Sequence, residues 1–252
     1  MKYLDDPRLA YWSNFLESVE LGDRLLSVRA DAFSCKKAGD DKRFSKELER
    51  HMKEKMATSP ASYGTSPSFG ELADVGVRRT LVDLICTMNA SFPDYDFSGM
   101  RPDHFQKEAS VSFVRNKVNA GLAEVSVIHN KIFLESFWAD LDEVMKLKDC
   151  EVYSYSPDTE GDPFTEGCLW SFNHFFLNKS LKRILFLHCT TKSKLHMMED
   201  GMRNSDGDSD ADDDDEDGDA DMDNDNEGEK YPGEIMSDMD MEPAGGDDDS
   251  MT

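Results

Sequence analysis

No apolar run in this sequence approaches the roughly 18 residues that span a bilayer, and the opening Met1-Lys2-Tyr3-Leu4-Asp5-Asp6-Pro7 lacks the apolar stretch of a secretory signal. Cysteine is scarce and unpaired: Cys35, Cys86, Cys150, Cys168 and Cys189 are odd in number, widely separated and never form Cys-x-x-Cys. Separate reduced thiols, in cytosol, nucleus or both, are expected. Missing as well are the phosphate-cradling Gly-x-x-x-x-Gly-Lys-Ser/Thr, the Gly-x-Ser-x-Gly nucleophile turn and His-Glu-x-x-His, and the six histidines are scattered. These absences argue against catalysis and against a bound metal or cofactor.

Positive charge is also in short supply. The net charge is −25, and residues 199–252 hold 24 acids against 2 bases, so the remaining body is close to neutral. Nothing resembles the strongly basic surface that holds nucleic acid by counterion release. Asp, Gly, Met and Ser replace β-branched residues from Glu199 onward, so that segment buries too little to offset its ordering entropy and is expected to be a disordered acidic tail. Within it, Asp213, Asp215, Asp217 and Gly218 superficially suggest a calcium loop. The twelfth position is Asn224 rather than a bidentate Glu, and no amphipathic helices flank it, so a solvated acidic run is the better reading.

What is present is concentrated between Leu169 and Cys189. Two apolar runs flank Asn178-Lys179-Ser180, a polar break that predicts a β-hairpin. Trp170, Phe172 and Phe176 share one face and Phe175 and Leu177 the other, while Ile184 and Phe186 oppose Leu185 and Leu187. Both faces are therefore predicted to be buried, which places the hairpin at the centre of a sheet covered by helices. Lys182 and Arg183 fall where this core meets the surface.

Residues 23–35 alternate Leu26, Val28, Ala30 and Ala32 with Ser27, Arg29 and Asp31, the pattern of a half-buried strand. A charged corner, residues 36–43, leads to a polar helix over 44–56, and the Ser/Thr/Pro/Gly-rich residues 56–74 are expected to form a flexible linker. Helical spacing recurs in Leu81, Leu84, Ile85, Met88 and Phe92, then in Val111, Val114, Val118, Leu122 and Val125, then in Leu134, Phe137, Trp138, Leu141 and Val144. An extended loop, Phe92 to Gly99, closes the first of these. Residues 151–156 alternate as a further strand.

Asp94 and Asp96 put two carboxylates on one side of an extended segment, but no neighbouring base or nucleophile supports acid/base chemistry. Turn capping or partner contact fits them better. Lys182 and Arg183, with Lys179, either meet an acidic partner or keep the hairpin end soluble. Ser59-Pro60 and Ser66-Pro67 suit proline-directed kinases and Lys42-Arg43-Phe44-Ser45 a basic-directed one at Ser45, where a phosphate adds roughly −2 beside the two cations. Ser205 and Ser209 are further candidates in the tail.

Three blocks carry a family likeness. Phe33-Ser34-Cys35-Lys36 with Ala38-Gly39-Asp40-Asp41-Lys42, then Asn89-Ala90-Ser91-Phe92-Pro93-Asp94-Tyr95-Asp96-Phe97-Ser98, then Leu169-Trp170-Ser171-Phe172-Asn173 leading to Leu181-Lys182-Arg183-Ile184 resemble, in order and spacing, the eukaryotic RNA polymerase III repressors known as Maf-one. The likeness covers residues 21–191 apart from the linker. It implies an α/β (α+β type) fold, a single globular domain over 1–198 with a central antiparallel sheet flanked by helices, the first block pairing with the later two. It implies a non-enzymatic repressor that binds RNA polymerase III near its clamp and interferes with recruitment by the Brf subunit and TATA-binding protein, lowering tRNA and 5S rRNA synthesis. Protein kinases and phosphatases as regulators, and shuttling between nucleus and cytoplasm, are implied too; a membrane or sequence-specific nucleic acid is not. By position, Asp31 and Lys36 match the family's functionally sensitive strand Asp and following Lys. With Asp40, Asp41, Lys42, Asp94, Asp96, Lys182 and Arg183 they make up the candidate partner contacts. The shorter linker and the extra Lys37 depart from the family pattern. A different reading is an acidic scaffold or chaperone for basic proteins that acts through the tail.

Overall fold

The computed structural model describes residues 1–129, 132–157, 162–165 and 167–195. The expected acidic tail and its candidates Ser205 and Ser209 lie outside them. In chain order the elements are β1 (Lys2–Tyr3), α1 (Pro7–Phe15), β2 (Val19–Leu21), β3 (Arg24–Ser34), α2 (Gly39–Thr58), α3 (Pro60–Tyr63), β4 (Thr65–Ser66) and β5 (Gly70–Glu71). There follow α4 (Val75–Ser91), β6 (Phe105–Lys107), α5 (Val111–Gly121), α6 (Ala123–His129), α7 (Ile132–Met145), β7 (Glu151–Tyr155), β8 (Cys168–Asn178) and β9 (Arg183–Ser193). Single 3-10 turns sit at Pro102–His104 and Leu147–Asp149.

The hairpin forms where the sequence places it. β8 and β9 pair antiparallel with Leu177 opposite Ile184 and Phe175 opposite Phe186, and the Asn178 side chain accepts the Leu181 N–H at 2.9 Å to close the turn. Among the described residues the main sheet runs β1-β3-β9-β8-β7-β6, with β2 also on β3, and every pairing is antiparallel. The hairpin is thus central, as its two apolar faces require.

One face presents Leu26, Val28, Ala30 and Ala32 of β3 with Leu185, Leu187 and Cys189 of β9 and Phe176 of β8. Against it pack α1, α5, α6 and α7 through Trp12, Val114, Val118, Val125, Phe137 and Trp138. The opposite face presents Phe33, Phe175, Leu177, Ile184 and Phe186 to α2 and α4, which contribute Leu48, Met52, Leu81, Leu84, Ile85 and Met88. Each such aliphatic or aromatic side chain taken fully from water stabilises the fold by about 1.5–3 kcal/mol.

Several expectations need correction. β3 is more than half-buried: Asp31 and Phe33, on its second face, are 3% exposed because α2 and α4 cover that side. α2 starts at Gly39 rather than Phe44 and takes the charged corner into its first turn, where Asp40 and Asp41 face the positive end of the helix dipole. The segment 56–74 is no loose linker. It carries α3 and the β4–β5 hairpin, and Phe69 and Leu72 are buried in the core beside α4.

The helix from Ser110 breaks at Leu122 into α5 and α6. Gly121 lies so close to the sheet that a Cβ there would stand 3.3 Å from the Phe172 ring, so the glycine lets the helix end against β8. Helix α1 has a local start signal, Asp6 accepting the Arg8 N–H at 3.1 Å with Pro7 in the first helical position.

Candidate functional site

Phe33 and Cys35 of the first block, Phe92 of the second and Ile184 of the third share the α2–α4 side of the sheet, while Trp170 and Phe172 of the third pack on the other. In the β3–β9 ladder Asp31 is opposite Phe186 and Ser34 opposite Arg183, and the Cys35 N–H donates to the Lys182 carbonyl at 2.9 Å. Lys37 then reaches Asp83 of α4, Nζ to Oδ1 2.5 Å, and the amino terminus binds Asp41 at 3.0 Å. In the second block the Asn89 side chain accepts the Phe97 N–H at 2.9 Å and fixes the loop that follows α4. The first block is therefore joined to the third by backbone pairing and to α4 by charge.

The candidate contacts separate into exposed and internal groups. Lys36, Asp40, Lys42, Asp94 and Lys182 are exposed, and Asp40 pairs with Arg43 within α2. Asp96 is also at the surface, where it accepts the Ser98 N–H at 2.9 Å and the Ser98 hydroxyl; these bonds hold its carboxyl below the usual range and give it a turn-capping role. Arg183 is half-buried and donates to the Val144 carbonyl at 3.0 Å, satisfying a backbone acceptor near the end of α7. Of the Lys182-Arg183 pair, Lys182 faces outward and Arg183 serves the fold.

Asp31 is inside. Burial pushes its carboxyl above the usual range, while Arg29, with Nη2 3.0 Å from Asp31 Oδ2, pulls it back. Among the described residues Oδ2 thus has an ion-pair neighbour but no hydrogen-bond partner. Arg29, His188 and Asn173 stand in register across β3, β9 and β8. Among the described residues, neither ring nitrogen of His188 and neither amide atom of Asn173 finds a hydrogen-bond partner. Phe186, Phe92 and Phe164 surround the imidazole with centroids at 4.9, 5.2 and 5.7 Å, and burial, aided by Arg29, pushes His188 down to about 3. In a sequence, neither residue is marked: an isolated His and Asn within an apolar strand give no spacing signal.

The phosphorylation candidates differ in access. Ser59 is exposed, whereas Ser66 is buried with its hydroxyl 3.1 Å from that of Ser68. Ser45 is buried on the inner side of α2 with Oγ 3.6 Å from Cys86 Sγ. The basic motif before Ser45 is on the surface, but its target hydroxyl faces the core.

Around the hairpin turn Lys179, already marked in the sequence, meets charges that spacing did not reveal. Lys179 binds Glu151 at 2.7 Å and Lys107 binds the same carboxylate at 3.3 Å. Against the burial that would raise it, Lys179 and Tyr153 hold Glu151 at about 2. Arg79, from the second turn of α4, lines the same recess as Lys179 and Lys182. On the other face of β8, the Ser154 hydroxyl links His174 Nδ1 at 2.8 Å to Glu108 at 2.5 Å, and Lys117 closes on Glu108 at 2.9 Å. Among the described residues no group of three or more His, Cys, Asp or Glu is arranged to hold a metal ion, and all five cysteines are free thiols. Burial, then Asp83, pushes the Cys35 thiol up to about 12, so it is no nucleophile near neutral pH. What the arrangement offers is a set of exposed charges on a rigid frame, suited to binding.

Comparison with known proteins gives a consistent match. The family model described as Maf1 regulator matches residues 26–188. The Dictyostelium discoideum protein named repressor of RNA polymerase III transcription is 34% identical over 245 residues, which span 79% of this chain and 88% of that protein. The Schizosaccharomyces pombe protein named repressor of RNA polymerase III transcription maf1 is 33% identical over 196 residues, 74% of this chain and 81% of that one. A crystal structure of citrus MAF1 superposes with a TM-score of 0.62 at 32% identity, covering 74% of this chain and 99% of the citrus chain.

Proposed function

This chain belongs to the Maf1 regulator family, and from that premise we propose that it represses transcription by RNA polymerase III through protein contacts of its folded body. The observation that carries the reading is the pairing of the first family block with the hairpin end of the third, beside which Phe92 of the second packs on Phe186, with Lys36, Lys42 and Lys182 exposed. In this reading the body binds the polymerase near its clamp and interferes with initiation that depends on Brf and TATA-binding protein, lowering tRNA and 5S rRNA synthesis. The protein acts without catalysis. Kinases and phosphatases set its activity, and it moves between nucleus and cytoplasm. The exposed Ser59-Pro60 supports phosphorylation as the control, whereas Ser45, buried behind the exposed Lys42-Arg43, is reached only when α2 opens.

The test is a pull-down of purified RNA polymerase III by the unphosphorylated full chain, followed by promoter-dependent transcription with the polymerase III factors. Capture and reduced tRNA synthesis are expected. Absence of capture overturns the proposal, and capture by the isolated 199–252 segment with steep salt dependence, in place of the body, turns it toward an acidic scaffold.

A further inference from the structure

A recess of about 280 Å³ opens between the start of α4 and the β8–β9 turn. Cys35 and Leu177 give it an apolar lining, Thr80 adds a wall, and Arg79, Lys179 and Lys182 supply its cations. The volume is just below the roughly 300–1,000 Å³ typical of small-molecule pockets and suits a single inserted side chain. Asp83 also lines it, but that carboxylate is held by Lys37 at 2.5 Å. Lys179 shares Glu151 with Lys107; Arg79 acts on the Asp83 carboxylate from beyond ion-pair distance, and neither Arg79 nor Lys182 makes a salt bridge among the described residues. The helix start contributes little here, because Asp74 already accepts the Gly76 and Val77 N–H groups.

The backbone at Lys182 gives a second, independent pointer. Its φ is +53°, in the left-handed region. A hairpin loop that ends in this conformation ordinarily places glycine there, since a side chain at such a position is strained. Strain of this kind is held at functional sites more than elsewhere, and of the two non-glycine residues in this conformation among those described, Lys182 is the one that lines the recess. The body outside the tail is nearly neutral, so the cationic cluster is a local feature rather than part of a generally basic surface.

We propose that this recess receives the phosphorylated side chain of a partner protein. The cations come from two elements, Arg79 from the helix and Lys179 and Lys182 from the hairpin, and so present separate donors instead of one planar fork. A phosphoryl group, with three acceptor oxygens and a charge near −2, matches separated donors better than a flat carboxylate does. The Cys35 and Leu177 surfaces cover the aliphatic stem of the incoming residue. The site shares Lys182 with the surface invoked for repression, but its test contains no polymerase, so either can fail without the other.

The experiment is an amide-resolved NMR titration of the full chain with a five-residue peptide holding one phosphoserine among glycines. Parallel arms use the unphosphorylated peptide, the peptide with Glu in place of phosphoserine, inorganic phosphate and a five-nucleotide oligothymidylate. Shifts centred on Cys35, Thr80 and residues 177–182 are expected with the phosphopeptide, and weaker binding in every other arm. Lys182→Gly and Arg79→Gln should each lower affinity about tenfold, the effect of losing one charge-assisted hydrogen bond. The exposed Lys148→Gln should leave it unchanged. Glycine adopts the Lys182 backbone freely, so a thermal melt of Lys182→Gly at or above the parent's separates lost binding from lost folding. Equal binding of the unphosphorylated or Glu peptide, tighter binding of the oligonucleotide, phosphate binding without peptide binding, or an unaltered affinity in Lys182→Gly overturns the proposal.

Discussion

Phe175 and Phe186 lie stacked across the β8–β9 pair, with ring centroids 4.3 Å apart and planes 1° from parallel. Neither ring is exposed, and Phe105 and Phe164 meet this pair edge-on from β6 and from the residues before β8. Phe186→Ala should cost about 3–5 kcal/mol through lost burial and the cavity left behind. In a double-mutant cycle with Phe175→Ala, the coupling should be about 0.5–1.5 kcal/mol. Urea unfolding of the four proteins checks both figures, and strict additivity would count against a direct ring–ring contribution.

Acid should destabilise the fold through its buried histidines. Burial holds His188 at about 3 and His174 at about 4, both below the ordinary value of about 6.5. Both are neutral in the folded state above those values, while in the unfolded chain they take up protons as pH falls through about 6.5. Stability is therefore full above about pH 6.5 and declines below it, towards pH 4 for His174 and pH 3 for His188, with a slope up to about 1.4 kcal/mol per pH unit for each. The charged neighbour of His188 is Arg29, and those of His174 are Glu108 and Lys117. His188→Leu removes two buried nitrogens without hydrogen bonds and should flatten the profile between pH 6.5 and 5. Chemical denaturation at a series of pH values gives the slope directly.

Ser45→Asp should act on folding before it acts on any partner. The carboxylate would enter the space beside Cys86, inside α2, at a cost of at least about 3 kcal/mol, whereas Ser45→Ala should cost only about 1 kcal/mol. Hydrogen exchange should show α2 opening more often in the Asp variant, with weaker polymerase binding as a consequence. Phosphorylation of Ser45 by a basic-directed kinase should also be slower in the folded protein than in a peptide of the same sequence. Equal rates would show that the hydroxyl is reached without opening the helix.

The Lys37–Asp83 bridge is mostly enclosed, with 15% and 19% of the two side chains exposed. Burial raises the Asp83 carboxyl and Lys37 opposes that rise. Lys37→Met should remove a charged hydrogen bond worth about 1.5–3 kcal/mol and shift Asp83 further upward. Thermal melts measure the loss, and a carboxyl titration followed by NMR measures the shift.

The parts of this fold that were legible in the sequence are those whose apolar residues are dense and regular. Phe175, Leu177, Ile184 and Phe186 announced the central hairpin, and Leu81, Leu84, Ile85 and Met88 announced α4, because each run satisfies one period without interruption. Phe69 and Leu72 did not reveal the packed segment before α4, since two buried residues in a Ser/Pro/Gly setting are outweighed by their neighbours. Ser45, Leu48 and Met52 form a narrow inner stripe on an otherwise polar α2, so composition gave the helix but hid the burial of its serine. Lys36, Lys42 and Lys182 were legible as surface positions, since each lies in a charged or polar break between apolar runs. The recess at the hairpin was not, because Arg79 and Lys182 are brought together only by the pairing of β3 with β9 and the packing of α4.

That β3–β9 ladder also sets a schedule for synthesis. Its eleven residue pairs run from Arg24 with Ser193 to Ser34 with Arg183, so about 150 residues must be made before β3 can meet β9. At roughly 5–20 residues per second, the strand waits on the order of ten to thirty seconds. During that time its row of Leu26, Val28, Ala30 and Ala32 lacks the neighbour that completes the sheet. While those residues are being made the nascent chain carries an open strand of the kind that pairs readily with other chains, and the exposure ends only when β9 has emerged.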